Sequence, residues 1–431
     1  MGNSDLEHGA GMIAVVGGGV GGLATGWELA QRGEDVVVLE STGRPGGVIR
    51  SERIEGRVLE LGPQRARLAA PFRRLVAELD LQDQLLVAPE LPLYVWHAGA
   101  LREVPLSPGA ALSSDLLGWR HLIRILLEPL TGGLRAGETA AEYFTRKMGR
   151  VPYDRIIAPL FGGLYASDPA AMPARHALAG ALRRAGVRRS LLRALLRGAR
   201  LRGGAPPCSF EGGLRTVTDA LAARLGSRLR LDSPVRRLDA AGGGRLRVVL
   251  DDGGLLADHV VLAVPAGSAA DVLEGLVPRA AERLRRLRYN PLALVHLLSD
   301  ADLDGLGFQV PFGTGYATRG VTFNRAMFHR PDLYTAFLGG AHHPDVPRLP
   351  EAELGRLAAR EFRELTGAAD ARPVHVSRAW MPAWDRSWDS LDGLRLPAGV
   401  SVCANWAARP GILGRLSEAR RLAERLTGAG R

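Results

Sequence analysis

An α/β fold, with a parallel sheet assembled from separated stretches of chain, is predicted by three observations in this sequence of 431 residues. First, an apolar strand over residues 12–16 runs into a glycine-rich turn, a helix over 23–32 and a second strand over 35–39 that ends in Glu40. Second, another glycine loop, Arg44-Pro45-Gly46-Gly47, follows that acid directly. Third, short apolar strands return in the middle of the chain (259–265) and near its end (399–404). Uninterrupted apolar strands suit the interior of a parallel sheet covered on both faces. The result is a Rossmann-type domain, discontinuous in sequence, carrying an α+β domain and an inserted helical domain.

Each part of the first unit has a physical role. In Val15-Val16-Gly17-Gly18-Gly19-Val20-Gly21-Gly22, Gly17 allows the tight turn and Gly19 lets backbone approach a pyrophosphate. Gly22 lets helix and strand pack closely. The helix start at Val20 and Gly21 presents free N–H groups and a positive dipole end to phosphates. Glu40, with Ser41 beside it, is placed about twenty residues on to accept from ribose hydroxyls. In the second loop, Gly46 and Gly47 would reach the same pyrophosphate and Arg44 would offer it a charge; the bland alternative is a surface turn. A simple nicotinamide domain does not need this loop.

Further along, residues 105–205 read as helical, then a helix over 216–225 and strands over 228–231, 235–238 and 245–250. Asp251-Asp252-Gly253-Gly254 is a hairpin signal. An amphipathic helix follows over 349–365, and a last helix starts at Ile412. The division expected is nucleotide domain over 11–85, 206–285 and 395–431, substrate domain over 86–104 and 286–394, and helical insert over 105–205. Within that insert, a basic helix from Arg188 to Arg200 would place Arg189, Arg193, Arg197 and Arg200 on one face, opposite Leu191, Leu192, Leu195 and Ala199. It reads either as an ordinary helix with a solvated face or, over 183–202, as a peripheral contact with an anionic membrane. Trp380, Trp384 and Trp388 read as core packing or a domain seam, or as an aromatic substrate cage.

Composition narrows the classes. Hydrophobic residues make up 46% of the chain, enough for a large core, and no charge-free apolar run is long enough to span a membrane. The polar start, residues 1–10, reads as a frayed leader without signal-peptide character. Cys208 and Cys403 suggest no disulfide framework, so a cytoplasmic protein is expected. Net charge is +11, carried almost wholly by arginine, with Lys147 the sole lysine. Such a bias points to codon preference, and no zinc or RNA motif supports nucleic-acid binding. His342-His343 and the other histidines lack metal-ligand spacing and read as solvated loop positions.

Five further segments carry a resemblance: Glu60-Leu61-Gly62-Pro63; the loop 158–169 with Gly163 and Tyr165; Ser209-Phe210-Glu211-Gly212-Gly213-Leu214; Ser233-Pro234-Val235; and Phe323-Asn324-Arg325. With the two glycine loops, they resemble the flavin-dependent porphyrinogen oxidases of the amine oxidase superfamily over most of the chain. The resemblance implies tightly held FAD, contacted by Gly17, Gly19, Val20, Gly21, Gly22, Glu40, Ser41, Arg44, Gly46, Gly47, Gly62 and Pro63. It adds Val235 at the adenine, and Asn405, Trp406 and Ile412 at the flavin. It implies a tetrapyrrole beside Gln64, Gly163, Tyr165 and Phe323, with Arg65 and Arg67 as candidate propionate partners or solvated arginines.

The implied reaction is dehydrogenation of coproporphyrinogen III or protoporphyrinogen IX in haem biosynthesis. A hydride moves from a bridging carbon to flavin N5 and pyrrole protons leave. Oxygen reoxidises the flavin, giving hydrogen peroxide over three turns. The flavin carries this reactivity, so no acid/base constellation is required. Membrane contact at the helical insert is also implied.

The chain departs from the family pattern at several points. Gln64 replaces an asparagine and Leu93 an arginine. Met381-Pro382-Ala383-Trp384 replaces an Ile-Pro-Gln-Tyr stretch. Ala404 and Glu418-Ala419 replace glycine-bearing pairs, so an added methyl would weaken cofactor binding. Two other readings stay open: an amine-type oxidoreductase, and a catalytically silent flavin-binding homologue. Lysine-dependent amine oxidases hold a water with a lysine, whereas Lys147 falls in the insert at what reads as a solvated helix end.

Overall fold

The computed structural model describes residues 11–196, 204–407 and 411–428; the leader over 1–10 lies outside them. β1 (Ile13–Val16), α1 (Val20–Ala30) and β2 (Val36–Leu39) form the first βαβ unit. The hairpin β3 (Ser51–Ile54) and β4 (Arg57–Glu60), β5 (Ala66–Arg67), α2 (Ala70–Glu78), β6 (Leu85–Val87), β7 (Leu93–His97) and β8 (Ala100–Glu103) follow. The insert comprises α3 (Pro108–Leu112), α4 (Trp119–Leu126), α5 (Ala140–Met148), α6 (Arg150–Pro152), α7 (Ala158–Tyr165), α8 (Ala174–Ala177), α9 (Ala179–Arg184) and α10 (Leu191–Leu196). Next are β9 (Pro207–Phe210), α11 (Arg215–Leu225), β10 (Leu229–Arg230), β11 (Arg237–Ala240), β12 (Leu246–Leu250), β13 (Gly253–Ala257), β14 (His259–Leu262), α12 (Ala266–Leu273) and α13 (Pro278–Arg285). β15 (Tyr289–Leu298), β16 (Gly307–Gln309), β17 (Thr318–Phe323), α14 (Asn324–Phe328), β18 (Leu333–Gly339), α15 (Glu351–Thr366) and β19 (Arg372–Pro382) precede β20 (Val400–Val402) and α16 (Ile412–Gly428).

Two sheets organise these elements. The first is parallel, in the order β10-β2-β1-β14-β20, so its strands come from the start, middle and end of the chain. β1 and β2 are buried along their whole length, as their Ile/Val/Leu runs require. The second has seven strands in the order β19-β15-β18-β17-β16-β7-β8. Alternation turns Ala293, Val295, Leu297, Ala336 and Leu338 towards Leu354, Ala358 and Phe362 of α15. The opposite face carries Leu292, Leu294, Phe337 and Ala379, packed with Ala166 at the end of α7. The hairpin at Asp251-Asp252-Gly253-Gly254 closes β12 onto β13, with Leu250 paired to Gly253.

Two expectations for the helical insert are corrected. Lys147 is not solvated: it is fully buried, 2.7 Å from Glu128 Oε1, and also donates to the Arg189 carbonyl. Glu128 in turn accepts from the N–H groups of Leu191 (3.0 Å) and Leu192 (3.3 Å), capping α10. The helix expected from Arg188 does not form there. Gly186 turns the chain at φ +67°, and Ser190 Oγ accepts from Arg193 N at 3.0 Å, so α10 starts at Leu191. Arg189 therefore shares no helical face with Arg193; Arg197, Ala199 and Arg200 lie outside the described residues.

Among the tryptophans, Trp384 and Trp388 stack in the core with centroids 5.3 Å apart, whereas Trp380 is exposed. Among the histidines, His296 on β15 is fully buried rather than solvated. Among the described residues, no helix is long and apolar enough to cross a membrane.

Candidate cofactor and substrate site

The carboxyl end of the parallel sheet is built for backbone rather than side-chain contact. A Cβ on Gly22 would lie 1.8 Å from Gly17 O, so only glycine lets α1 start this close to β1. Gly19 supplies no side-chain cap and the first turn of α1 holds no acid, which leaves its N–H groups without a side-chain acceptor. The second glycine loop lies directly on the first. Gly46 N donates to Gly18 O at 2.8 Å, Gly19 and Gly46 form a parallel bridge, and a Cβ on Gly47 (φ +59°) would come 3.1 Å from Gly19 Cα.

Glu40 Oε2 accepts from Gly18 N at 2.7 Å, and Oε1 from Thr42 N at 3.0 Å and from the Ser41 and Thr42 hydroxyls. The carboxylate thus braces the first glycine turn from the end of β2. Arg44 is exposed and bonds the carbonyls of Pro45 and Gly47 within its own loop. Ser233 N donates to Glu40 O at 2.8 Å, which brings Val235 beside the same strand end.

The C-terminal segment closes this crevice. Cys403 N bonds Leu262 O at 2.9 Å, setting Ala404 and Asn405 beyond β20. Asn405 Oδ1 accepts from the Tyr289 hydroxyl at 3.0 Å. Trp406 is only 2% exposed and its Nε1 donates to Val264 O at 3.1 Å, so its ring belongs to the core. Ile412 is half-buried at the start of α16. Ala419 is corrected too: it is fully buried in the core formed by α1 and α16 with Leu23, Leu416 and Leu422, so its methyl takes no cofactor space.

The crevice fits a nucleotide cofactor. The glycine cradle suits a pyrophosphate, and Val48, between the cradle and Ile49, is an aliphatic side chain left 70% exposed where an apolar ring would cover it.

A clamp joins this crevice to the seven-stranded sheet through residues 60–64. Buried Glu60 Oε1 accepts from Ser209 Oγ (2.9 Å), Leu214 N (2.9 Å) and Arg330 Nη2 (3.2 Å), and Oε2 from Ser51 Oγ. The Ser209–Leu214 motif is therefore a partner of Glu60. Ser377 Oγ donates to Leu61 O at 3.0 Å, and His296 Nε2 lies 3.0 Å from Glu60 O. Gln64 Nε2 donates to Glu60 O and Gly62 O, while its Oε1 accepts from Asn324 Nδ2. Gln64 thereby locks the loop carrying Gly62 and Pro63.

Burial, with Arg330 and His375 nearby, pushes His296 from 6.5 down to about 4. A lowered folded-state value means the unfolded chain binds the proton first as pH falls. Stability is therefore expected to drop by about 3 kcal/mol between pH 6.5 and 4 from this group alone. Urea unfolding across that window tests this: His296→Gln should flatten the slope, and an unchanged slope contradicts it.

Arg65 and Arg67 leave the same loop. Arg65 Nη1 meets Met327 Sδ at 3.3 Å and Arg67 Nη1 the Ala205 carbonyl at 3.3 Å. Neither has a carboxylate within ion-pair reach among the described residues. Burial and the neighbouring Arg67 push Arg65 down to about 10, and burial lowers Arg67 as well.

Gly163 and Tyr165 lie on α7. The Gly163 backbone packs on Gln309, and the Tyr165 ring on Phe161 at 5.3 Å. Ser167 Oγ to Ala383 O (2.7 Å) and Asn290 Nδ2 to Ala166 O (3.0 Å) hold the end of that helix. Phe323 is a correction. Its ring is buried between Phe308 and Tyr334 on the α15 side of the sheet, opposite the face towards α7. Phe337, which the sequence reading missed, is the aromatic on the face towards α7.

The family model of the flavin-containing amine oxidoreductases matches residues 20–388 of this chain. The chain belongs to the flavin-containing amine oxidoreductase family. Among curated relatives, the chloroplastic protoporphyrinogen oxidase of Oryza sativa subsp. japonica is 28% identical over 81% of this chain and 74% of its own. Protoporphyrinogen oxidase of Homo sapiens is 29% identical over 76% and 77%. Among solved structures, an Exiguobacterium sp. 255-15 protein assigned as a protoporphyrinogen oxidase superposes with a TM-score of 0.78 at 20% identity, covering 98% of this chain and 99% of that one. Cyclohexylamine oxidase from Brevibacterium oxydans IH-35A gives 0.72 at 16% identity, covering 97% and 98%. As a flavin-containing amine oxidoreductase, this chain is a flavin-dependent oxidoreductase resembling protoporphyrinogen oxidases. Its fold is shared with amine oxidases as well.

Proposed function

We propose that the protein is an FAD-dependent oxidase that converts a porphyrinogen, coproporphyrinogen III or protoporphyrinogen IX, to the porphyrin in haem biosynthesis, with molecular oxygen as acceptor. The observation that carries this reading is the pair Arg65 and Arg67: two desolvated guanidiniums beside the 60–64 clamp, with no carboxylate within ion-pair reach among the described residues. Propionate carboxylates would supply the missing charge through two-pronged hydrogen bonds. FAD, when bound, supplies the hydride acceptor. The chain's own residues would hold it: the two glycine loops and the α1 N-terminus at the pyrophosphate, Glu40 and Ser41 at a ribose, Val235 at the adenine, and Gly62, Pro63, Asn405 and Ile412 around the flavin. Gly163, Tyr165 and Phe337 would line the tetrapyrrole side and exclude water.

An amine substrate of the lysine-dependent kind is disfavoured, because the sole lysine is consumed by Glu128 in the helical insert. Porphyrin fluorescence in air tests the reading. Arg65→Leu is expected to raise KM about tenfold or more with kcat little changed, the loss of a charged hydrogen bond worth about 1.5–3 kcal/mol. Wild-type protein forming no porphyrin from either compound would refute the proposal.

Peripheral membrane contact is better supported at α4 than at 183–202. Trp119, Ile123 and Leu126 recur on one exposed helical face, with Leu130 exposed just beyond it. Sedimentation with anionic vesicles is expected for the wild type and lost in Ile123→Ser/Leu126→Ser; wild-type protein that stays in the supernatant contradicts it.

A further inference from the structure

Tyr289 opens β15 of the seven-stranded sheet, yet its hydroxyl reaches Asn405 on the segment beyond β20 of the parallel sheet. That oxygen accepts from Ala266 N, at the start of α12, at 3.1 Å. It also lies 3.0 Å from Asn405 Oδ1, on the segment beyond β20. A tyrosine hydroxyl carries one proton. With Ala266 donating to its oxygen, that proton is satisfied only if the facing atom is an acceptor, which fixes the orientation of the Asn405 amide. Were the amide reversed, two donors would face each other and the phenol proton would be orphaned, a loss of about 1–3 kcal/mol in a half-buried setting. Burial raises the Tyr289 phenol, so it remains a donor at neutral pH. The ring is held in place by Trp388, with centroids 6.2 Å apart, and Trp388 by Trp384 at 5.3 Å.

Asn405 is half-exposed, and its Nδ2 finds no acceptor among the described residues. We infer that Tyr289 is a positioning residue for the cofactor: it holds the Asn405 amide with Oδ1 turned away and the NH2 group left to donate to the flavin. This rests on the proposal that the crevice takes FAD. The flavin ring system offers mainly carbonyl and ring-nitrogen acceptors, so a fixed donor matches it and a freely rotating amide matches it less well. The link also ties β15 of the seven-stranded sheet to the cofactor segment, 116 residues further along the chain.

The test uses the full chain, deflavinated and reconstituted with FAD, with affinity read by flavin fluorescence and the bound flavin's absorption band read at saturation. Tyr289→Phe and Asn405→Ala are each expected to raise the FAD dissociation constant about tenfold and to shift the band. The double variant should be no weaker than Asn405→Ala alone, because Tyr289 acts only through Asn405. Asn405→Asp keeps an acceptor for Tyr289 but removes the donor. It should lose affinity while its apo form melts with the wild type, which separates positioning from folding. Wild-type affinity and spectrum in Tyr289→Phe, or losses that multiply in the double variant, would overturn the assignment while leaving the FAD reading intact. Wild-type protein that takes up no FAD would overturn both.

Discussion

Gly22→Ala is expected to lower flavin affinity by about a hundredfold or more, a loss on the order of 3 kcal/mol. The added Cβ would sit 1.8 Å from the Gly17 carbonyl oxygen, a separation no pair of such atoms sustains. Either α1 moves away from β1 or the turn opens. Both displace the N–H groups that start α1, and both disturb the contact with the second glycine loop. Overpacking of this kind costs about 1–3 kcal/mol in stability as well. Gly267→Ala, on α12 with open space where its Cβ would go, serves as the control. The flavin-to-protein absorbance ratio after gel filtration reads the outcome. Retention equal to that of the control would show that the turn tolerates a side chain.

The second large effect lies in the helical insert. Lys147→Met is expected to cost about 3–5 kcal/mol in urea unfolding, because it strands the Glu128 carboxylate in the core. Glu128 also caps α10 and accepts from Ser190 Oγ, so the loss should loosen the 185–196 segment first. Adding Glu128→Gln to Lys147→Met should recover part of the stability, since a neutral amide costs less to bury than an unpaired charge. A Lys147→Met protein within about 1 kcal/mol of wild type would show that the pair contributes little.

The parallel core was readable because its signals are local. Glycine spacing, an acid after the second strand and unbroken Val/Leu runs each specify structure within a few residues. What escaped depends on partners distant in sequence. Lys147 looks solvated beside Arg146 and Arg150, and only Glu128 and the Arg189 carbonyl explain its burial. Phe323 and Phe337 sit on strands of similar composition, and the packing of α15 decides which faces the core. The basic helix from Arg188 is a different case. Gly186 and Ser190 were stop and start signals present in the sequence, outweighed there by leucine periodicity. At the site, the glycine loops, Glu40 and the Arg65/Arg67 pair were visible as motifs. The Glu60 clamp and the Tyr289–Asn405 bond join residues too far apart for any spacing rule.

The central claim, hydride removal from a porphyrinogen, is tested most directly by anaerobic mixing of the purified flavoprotein with coproporphyrinogen and, separately, with protoporphyrinogen, following flavin absorbance. Rapid bleaching by at least one of them, with porphyrin appearing in step, is the predicted result, and the faster of the two identifies the preferred substrate. A bound flavin that neither compound bleaches would contradict the account.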